Sequence, residues 1–218
     1  MMNRLANDIA FASNEPYTTM PTRNRYILFR GIAERIVVAI ALPFLLPLFA
    51  LIAVAIRLDS RGPILFRQVR PGRGVSSFVI VKYRTMVDET MVGHVLLTRH
   101  GDARITRVGR VLRRTHLDEL PQLWNILCGE MSLVGPRPEP LDVTQMFEAL
   151  LPDYHRRRSV PPGLTGLAQI SLGYTDDLDG AVKKLSYDLD YIRNVSPLLD
   201  LKILARTVVV VVTMRGAR

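Results

Sequence analysis

Residues Ile36–Ile56 read IVVAIALPFLLPLFALIAVAI, twenty-one positions without a charge or a polar side chain. About 20 apolar residues suffice for a helix to cross the hydrocarbon core of a bilayer, so the run is long enough to be a membrane segment. It is no cleavable signal peptide: it starts too late, exceeds an h-region in length, and has no small-residue cleavage site after it. Two details point away from a simple span. Pro43 and Pro47 stand one helical turn apart in the middle, and each removes a backbone donor and crowds the preceding turn. Arginines also flank the run on both sides, Arg23, Arg25, Arg30 and Arg35 before it and Arg57, Arg61, Arg67, Arg70 and Arg73 after it. A spanning helix carries its basic excess on one side. The expectation is a helix–break–helix anchor over residues 31–57, re-entrant, with both ends on the cytoplasmic face.

Outward from the anchor, residues 1–30 are mixed and weakly patterned and read as a flexible lead-in. Residues 58–218 are long enough to bury a core of their own. Gly62-Pro63 and Pro71-Gly72 punctuate a basic, turn-rich stretch, and the alternating, β-branched Ser77–Tyr83 is a strand candidate. Together they predict a small β-hairpin. Residues 105–114, 117–127, 141–150 and 178–193 carry apolar side chains at helical spacing. The tail, residues 198–214, ends in the apolar run Val208–Val212 and fits either a last core helix or a helix lying in the membrane interface. The fold class expected is α+β, mostly helical: a compact cytoplasmic domain with a small β-hairpin behind a re-entrant membrane helix.

The net charge of +9 suits nucleic acid, anionic lipid head groups or small phosphorylated substrates. Only 7% of residues are aromatic, too few for the stacking platforms of a nucleic-acid binder, so no nucleic-acid partner is expected. One cysteine, Cys128, excludes an internal disulfide and a cysteine-based zinc site, and it reads as a small buried residue. Trp124 reads as core. His94, His100, His116 and His155 lack metal-ligand spacing, although His116 lies close to the acidic pair described next.

Asp118-Glu119 stands between Arg113-Arg114 and Pro121. With Asp118 as N-cap, Pro121 falls in the first helical turn, where proline is tolerated, and the helix dipole with nearby arginines keeps the carboxylate ionised. Thr115 offers a competing cap. Further on, Pro136-Arg137-Pro138 holds an arginine between two prolines, a stiff presentation of a planar fork to a phosphate. Pro161-Pro162-Gly163-Leu164-Thr165-Gly166 forms a second constrained loop behind Arg156-Arg157-Arg158.

Three ordered segments, Leu117-Asp118-Glu119-Leu120-Pro121-Gln122, Met131–Pro138 and Pro162–Gly166, resemble the bacterial sugar transferase family of monotopic phosphoglycosyl transferases; the likeness runs from about Arg30 to the C-terminus. Asp188, Tyr191, Asn194 and Asp200 fall where that family's C-terminal motif has such residues. The chain departs from the pattern at Leu46, where the family has a serine before the anchor proline, and at Glu34, where an aspartate is usual. The resemblance implies transfer of sugar-1-phosphate from a UDP-sugar to undecaprenyl phosphate at the bacterial inner membrane, with release of UMP. Asp118 is then the nucleophile and a Mg²⁺ contact, and Glu119 its partner carboxylate. Lys82, Arg84, Arg113, Pro136, Arg137 and Pro138 are the substrate-binding set. Tyr187-Asp188-Leu189, Asn194 and the ending Gly216-Ala217-Arg218 are similar to the exopolysaccharide-initiating branch, and Gly173-Tyr174 stands where other branches carry a Gly-Arg-rich turn, which points to a hexose donor. The competing reading is a non-catalytic, membrane-tethered adaptor of a polysaccharide assembly complex, which gives no reason for Asp118, Glu119 and Arg137 to occur together.

Overall fold

The computed structural model describes residues 21–87, 102–172 and 178–213. The first twenty residues of the lead-in, His94, His100, Gly173-Tyr174 and the terminal Gly216–Arg218 lie outside these residues.

The first element is one helix, α1 (Pro21–Asp59), and both Pro43 and Pro47 lie inside it. The break expected there does not interrupt the helix. Each proline still removes one rung of the ladder, since it has no N–H for the carbonyl four residues back, Ala39 and Pro43 respectively. One stripe of α1 faces protein: Ile27, Arg30, Glu34 and Val38 before the prolines, Ile52 and Ile56 after them. The remaining faces stay apolar and exposed, with Leu28, Phe29, Ile36, Ile40, Phe44, Leu51 and Val54 uncovered. A contiguous apolar surface of that extent is a docking surface for protein or lipid.

The chain then folds as the antiparallel hairpin β1 (Leu65–Pro71) and β2 (Ser77–Tyr83), paired from Leu65 with Tyr83 to Pro71 with Ser77. Helix α2 (Arg107–Thr115) follows, capped by the Thr106 hydroxyl, and then a 3-10 turn over Leu117–Glu119. Next come α3 (Gln122–Cys128), β3 (Ser132–Val134), α4 (Leu141–Leu150) and a second 3-10 turn over Tyr154–Ser159. The chain closes with β4 (Gly163–Thr165), α5 (Leu167–Ser171), α6 (Leu178–Asn194) and α7 (Pro197–Val212). The expected strand at residues 77–83 and helix at 141–150 fall on β2 and α4.

A second strand pair went unforeseen: β3 and β4 run parallel, Ser132 opposite Gly163 and Val134 opposite Thr165. Both strands are three residues long, too short to show an alternating pattern. They join the two loops that the sequence marks as constrained. A Cβ on Gly135 would stand 2.5 Å from the Pro161 carbonyl oxygen, and one on Gly163 would stand 2.1 Å from the Gly135 nitrogen, so this crossing requires glycine on both sides.

Three hydrophobic clusters make up the core, and α1 contributes to each. Ile27 packs with Val134, Leu185, Leu189, Ile192 and Ile203; Val38 with Phe78, Ile80, Ile126 and Met131; Ile52 and Ile56 with Tyr83 and Leu112. The two halves of α1 on either side of the prolines therefore rest on the same body. Polar contacts fix the first half: Arg30 donates to Asp200 at 2.8 Å and to the Tyr191 hydroxyl at 2.5 Å, and the Ser132 hydroxyl donates to Glu34 at 2.8 Å. Tyr191 and Asp200, placed in a C-terminal motif by the sequence, are thus the dock for α1, while Asn194 is exposed and donates to the Asp190 carbonyl on its own helix.

Two expectations for α3 are corrected. Trp124 is 58% exposed and Cys128 is exposed. Gln122, Asn125 and Ile126 occupy the inward face of this two-turn helix, which leaves residues 124 and 128 on the opposite side.

Candidate active site

Asp118 and Glu119 lie on the 3-10 turn, and neither expected N-cap exists. Thr115 ends α2, its hydroxyl turned back to the Val111 carbonyl, and the residue before α3 is Pro121. The reason is local. Without an N–H, Pro121 cannot bond to the Leu117 carbonyl, so the chain tightens into i→i+3 bonds: Glu119 N–H to His116 O, then Leu120 N–H to Leu117 O. His116 makes the reversal possible by adopting φ 57°, the left-handed region and the only positive φ of a non-glycine among the described residues. Asp118 is therefore not held at a helix N-terminus.

Asn125, missed from sequence, sets where this turn sits. It is 1% exposed; its side chain accepts from Val81 N–H at 3.1 Å and donates to the Val79 carbonyl at 2.8 Å. An asparagine on α3 thus completes the edge of β2 and brings the carboxylates over Lys82. The signal was present as two amides, Gln122 and Asn125, on one face of an apolar helical run.

Glu119 is encircled by cations. Lys82 Nζ donates to Oε1 at 3.1 Å, Arg137 Nη1 to Oε2 at 3.0 Å, and Arg137 Nη2 closes the bidentate fork on Oε1. Burial alone would raise the Glu119 pKa, but the charges of Arg137 and Lys82 and their hydrogen bonds override it and hold the carboxyl far below its usual range. Asp118 differs. Among the described residues it accepts no hydrogen bond and forms no ion pair, and burial followed by the neighbouring Glu119 charge pushes its pKa up against the pull of Lys82, Arg137 and Arg113. Its side chain is partly exposed. Lys82 is pushed below its ordinary value by burial and next by Arg137.

The remaining candidates divide. Pro136, Arg137 and Pro138 form a braced loop beside Glu119, and Arg113 adds its charge to Asp118 while its Nε binds the Thr85 hydroxyl at 2.8 Å. Arg84 turns elsewhere: it is 6% exposed and its guanidinium binds the carbonyls of Ser60 and Arg61 at the end of α1. Two further arginines were not foreseen. Arg70, lowered to about 10 chiefly by burial, donates to the Pro138 carbonyl at 3.0 Å, and Arg157 reaches the Arg137 carbonyl at 2.9 Å. Both stand among many surface arginines in the sequence, and only the fold distinguishes them.

Among the described residues no three His, Cys, Asp or Glu side chains converge to hold a metal ion. Glu119 is saturated by cations, so Asp118 alone offers uncommitted carboxylate oxygens. A single carboxylate complemented by substrate phosphates is a shell that suits Mg²⁺.

A carboxylate without a hydrogen-bond partner beside two cations is an arrangement with the chemistry for nucleophilic phosphoryl transfer, a reaction that rests on positioning and charge neutralisation. Residues 25–214 match the model of the bacterial sugar transferase family, and the chain belongs to that family. It is 42% identical over 192 residues to a UDP-glucose:undecaprenyl-phosphate glucose-1-phosphate transferase of Caulobacter vibrioides, covering 87% of this chain and 72% of that protein. It is 40% identical over 195 residues to a protein of the same description from Klebsiella pneumoniae, covering 88% of this chain and 42% of the relative. It is also 38% identical over 205 residues to a UDP-N-acetylgalactosamine-undecaprenyl-phosphate N-acetylgalactosaminephosphotransferase of Aeromonas hydrophila, covering 94% and 48%. The chain spans less than half the length of the Klebsiella and Aeromonas proteins.

Proposed function

We propose that this chain is a phosphoglycosyl transferase that moves a hexose-1-phosphate from a UDP-sugar to undecaprenyl phosphate and so initiates exopolysaccharide synthesis. The observation that carries the proposal is the contrast within the acidic pair: Glu119 is neutralised by Lys82 and Arg137, and Asp118 is left unpaired beside them. The names of the Caulobacter and Klebsiella relatives support the donor and acceptor classes and a glucose-type hexose.

In the first step an Asp118 carboxylate oxygen attacks the phosphorus that bears the sugar. A P–O bond forms to Asp118, the bond to the bridging diphosphate oxygen breaks, and UMP leaves. In the second step a phosphate oxygen of the lipid attacks the same phosphorus; the acyl-phosphate bond breaks, Asp118 is regenerated and the lipid carries the sugar diphosphate. Lys82, Arg113 and Arg137 hold the diphosphate oxygens. Arg137, presented by its rigid loop, can exchange one arm of its fork from Glu119 to phosphate. Pro136 and Pro138 act by stiffening that loop, and Arg84 by holding the exit of the anchor. Glu119 acts as a fixed counter-charge for Lys82 and Arg137. Asp118, with the donor's phosphates, would hold a Mg²⁺ ion, which would supply charge neutralisation to the diphosphate.

Membrane attachment is supported by α1, the one helix among the described residues long and apolar enough to cross a bilayer. That both halves rest on one body supports a re-entrant anchor over a span, because a span would carry its ends to opposite faces. The soluble body then lies on the cytoplasmic face of the inner membrane, where UDP-sugars are made. Helix α7 leaves Leu198, Leu201, Val208, Val209 and Val212 exposed beside Lys202 and Arg206, which suits an interfacial helix.

The test is release of UMP from a panel of UDP-sugars by the purified chain with undecaprenyl phosphate and Mg²⁺. Release with one hexose donor is expected. Absence of UMP release by folded protein with every donor sinks the proposal in favour of the adaptor.

A further inference from the structure

The backbone of the loop that presents Arg137 is fixed at three consecutive carbonyls, each by a different element. The Pro136 oxygen accepts from Gly163 N–H at 2.9 Å, the Arg137 oxygen from Arg157 Nη2 at 2.9 Å, and the Pro138 oxygen from Arg70 Nη1 at 3.0 Å. The middle contact bears most directly on function, because the Arg137 carbonyl belongs to the residue whose guanidinium grips Glu119.

Arg157 is 7% exposed and lines the cavity behind the Pro136-Arg137-Pro138 loop. Each of its three guanidinium nitrogens makes a hydrogen bond. Nε donates to Asp188 at 2.6 Å, Nη1 to the Tyr154 hydroxyl at 2.6 Å, and Nη2 to Arg137, while the plane lies 4.8 Å from the centre of the Tyr154 ring. Asp188 is 2% exposed on α6, and its neighbours Leu185 and Leu189 lie in the core cluster of Ile27 and Val134. Alongside, Lys184 of α6 pairs with Glu139, the residue after Pro138. The site loop is thereby tied to α6 by two ion pairs, one of which ends on a backbone carbonyl.

A buried ion pair is a doubtful source of stability, since desolvating both charges offsets their attraction; its established use is to select one geometry. Only a planar fork can satisfy a carboxylate, a hydroxyl and a carbonyl in three fixed directions, which lysine cannot do.

We propose that Arg157 is a positioning residue for the transfer reaction: by holding the Arg137 carbonyl against the Asp188 anchor on α6, it sets the direction of the Arg137 side chain toward the diphosphate. This rests on the function proposed above, with Arg137 as a phosphate ligand. Misplacing a binding group by about 1 Å costs on the order of 100-fold in rate.

The test is a double-mutant cycle on UMP release, with the full chain and saturating lipid acceptor. Arg157→Lys, which retains the charge, is expected to lower kcat/KM for the UDP-sugar by roughly 10- to 100-fold. In an Arg137→Ala background the same change is expected to have no further effect, because its target is gone. Tyr154→Phe frees one arm of the fork and serves as the milder variant, with a smaller loss that also vanishes when Arg137 is absent. Effects that simply add in the two backgrounds, or wild-type kinetics per folded molecule in Arg157→Lys, overturn the inference. If the wild-type chain releases no UMP from any donor, the functional reading fails separately. The positioning claim is then read from NMR of the Arg137 guanidinium, whose hindered rotation should be lost in Tyr154→Phe and in Arg157→Lys; unchanged rotation in both rejects it.

Discussion

Glu119 accepts hydrogen bonds from Lys82 at 3.1 Å and from Arg137 at 3.0 Å, whereas the carboxylate of Asp118, one residue earlier, accepts none from the described residues. Two adjacent acids therefore occupy opposite electrostatic states. Glu119 is ionised and immobilised, and Asp118 is desolvated with only partial compensation from the nearby charges of Lys82, Arg137 and Arg113. Active sites hold groups in this second condition because an unpaired carboxylate is a stronger nucleophile than a paired one.

From that contrast, Asp118→Asn should abolish turnover and stabilise the fold. The folded pKa of Asp118 is raised, so its ionised form destabilises the native state at neutral pH, and the penalty disappears as pH falls below the raised value. The amide removes the charge at nearly constant shape. Thermal unfolding should shift upward by a few degrees, about what a 1 kcal/mol gain produces in a chain of this size. UMP release should fall to background, and the variant should still sediment with membranes. Intact-mass measurement adds a direct check: wild-type protein with UDP-sugar and no lipid gains one hexose phosphate, and the variant gains none.

The same pair fixes the pH profile. Attack requires ionised Asp118, whose pKa lies above the ordinary aspartate value of about 3.9, so kcat/KM should fall on the acid side earlier than an unperturbed aspartate would allow. Phosphate binding requires protonated Lys82, whose pKa lies below the ordinary lysine value, so the alkaline limb also moves inward. The bell narrows from both sides. Lys82→Arg should push the alkaline limb outward and leave the acid limb in place, as read from UMP release across pH.

Much of this was legible in the sequence, and the failures have physical causes. The apolar run, β2, α4 and the Asp118-Glu119 pair declare themselves through periodicity and composition, which are local properties. The pairing of β3 with β4 is not local: it depends on Gly135 and Gly163 meeting across the molecule. Arg84 and Arg157 show the same limit from opposite directions. In sequence both are one arginine among many, yet the fold turns Arg84 toward the Ser60 and Arg61 carbonyls and Arg157 toward the site loop. The Asp118 cap was misread because Pro121 shifts the helix start to Gln122.

Glu119→Gln tests the counter-charge role. The neutral amide leaves Lys82 and Arg137 facing each other without their shared anion, which should cost about 1–3 kcal/mol of stability. Removing the Glu119 charge also removes a cause of the raised Asp118 pKa, so the acid limb of the pH profile should move downward while kcat drops. If Glu119 instead relayed protons, that limb would vanish rather than move. Denaturant titration and the pH dependence of UMP release separate the two outcomes.

The strand crossing beneath the site gives a prediction with its own control. Alanine at Gly135 would place a methyl group 2.5 Å from the Pro161 carbonyl oxygen and 3.0 Å from Gly163 nitrogen, both backbone atoms that cannot swing aside. Relief requires separating β3 from β4, and that displaces the Pro136-Arg137-Pro138 loop. Overpacking of this kind costs about 1–3 kcal/mol, and the loop shift should reduce kcat/KM beyond the loss of folded protein. Gly31→Ala is the counterpart on α1, where a new Cβ meets nothing within 4 Å. There alanine should raise helix stability by about 1 kcal/mol and leave kcat/KM unchanged. Thermal melts and UMP release on the two variants compare a glycine required by close approach with one that is not, and equal effects would show that the β3–β4 crossing does not set the position of Arg137.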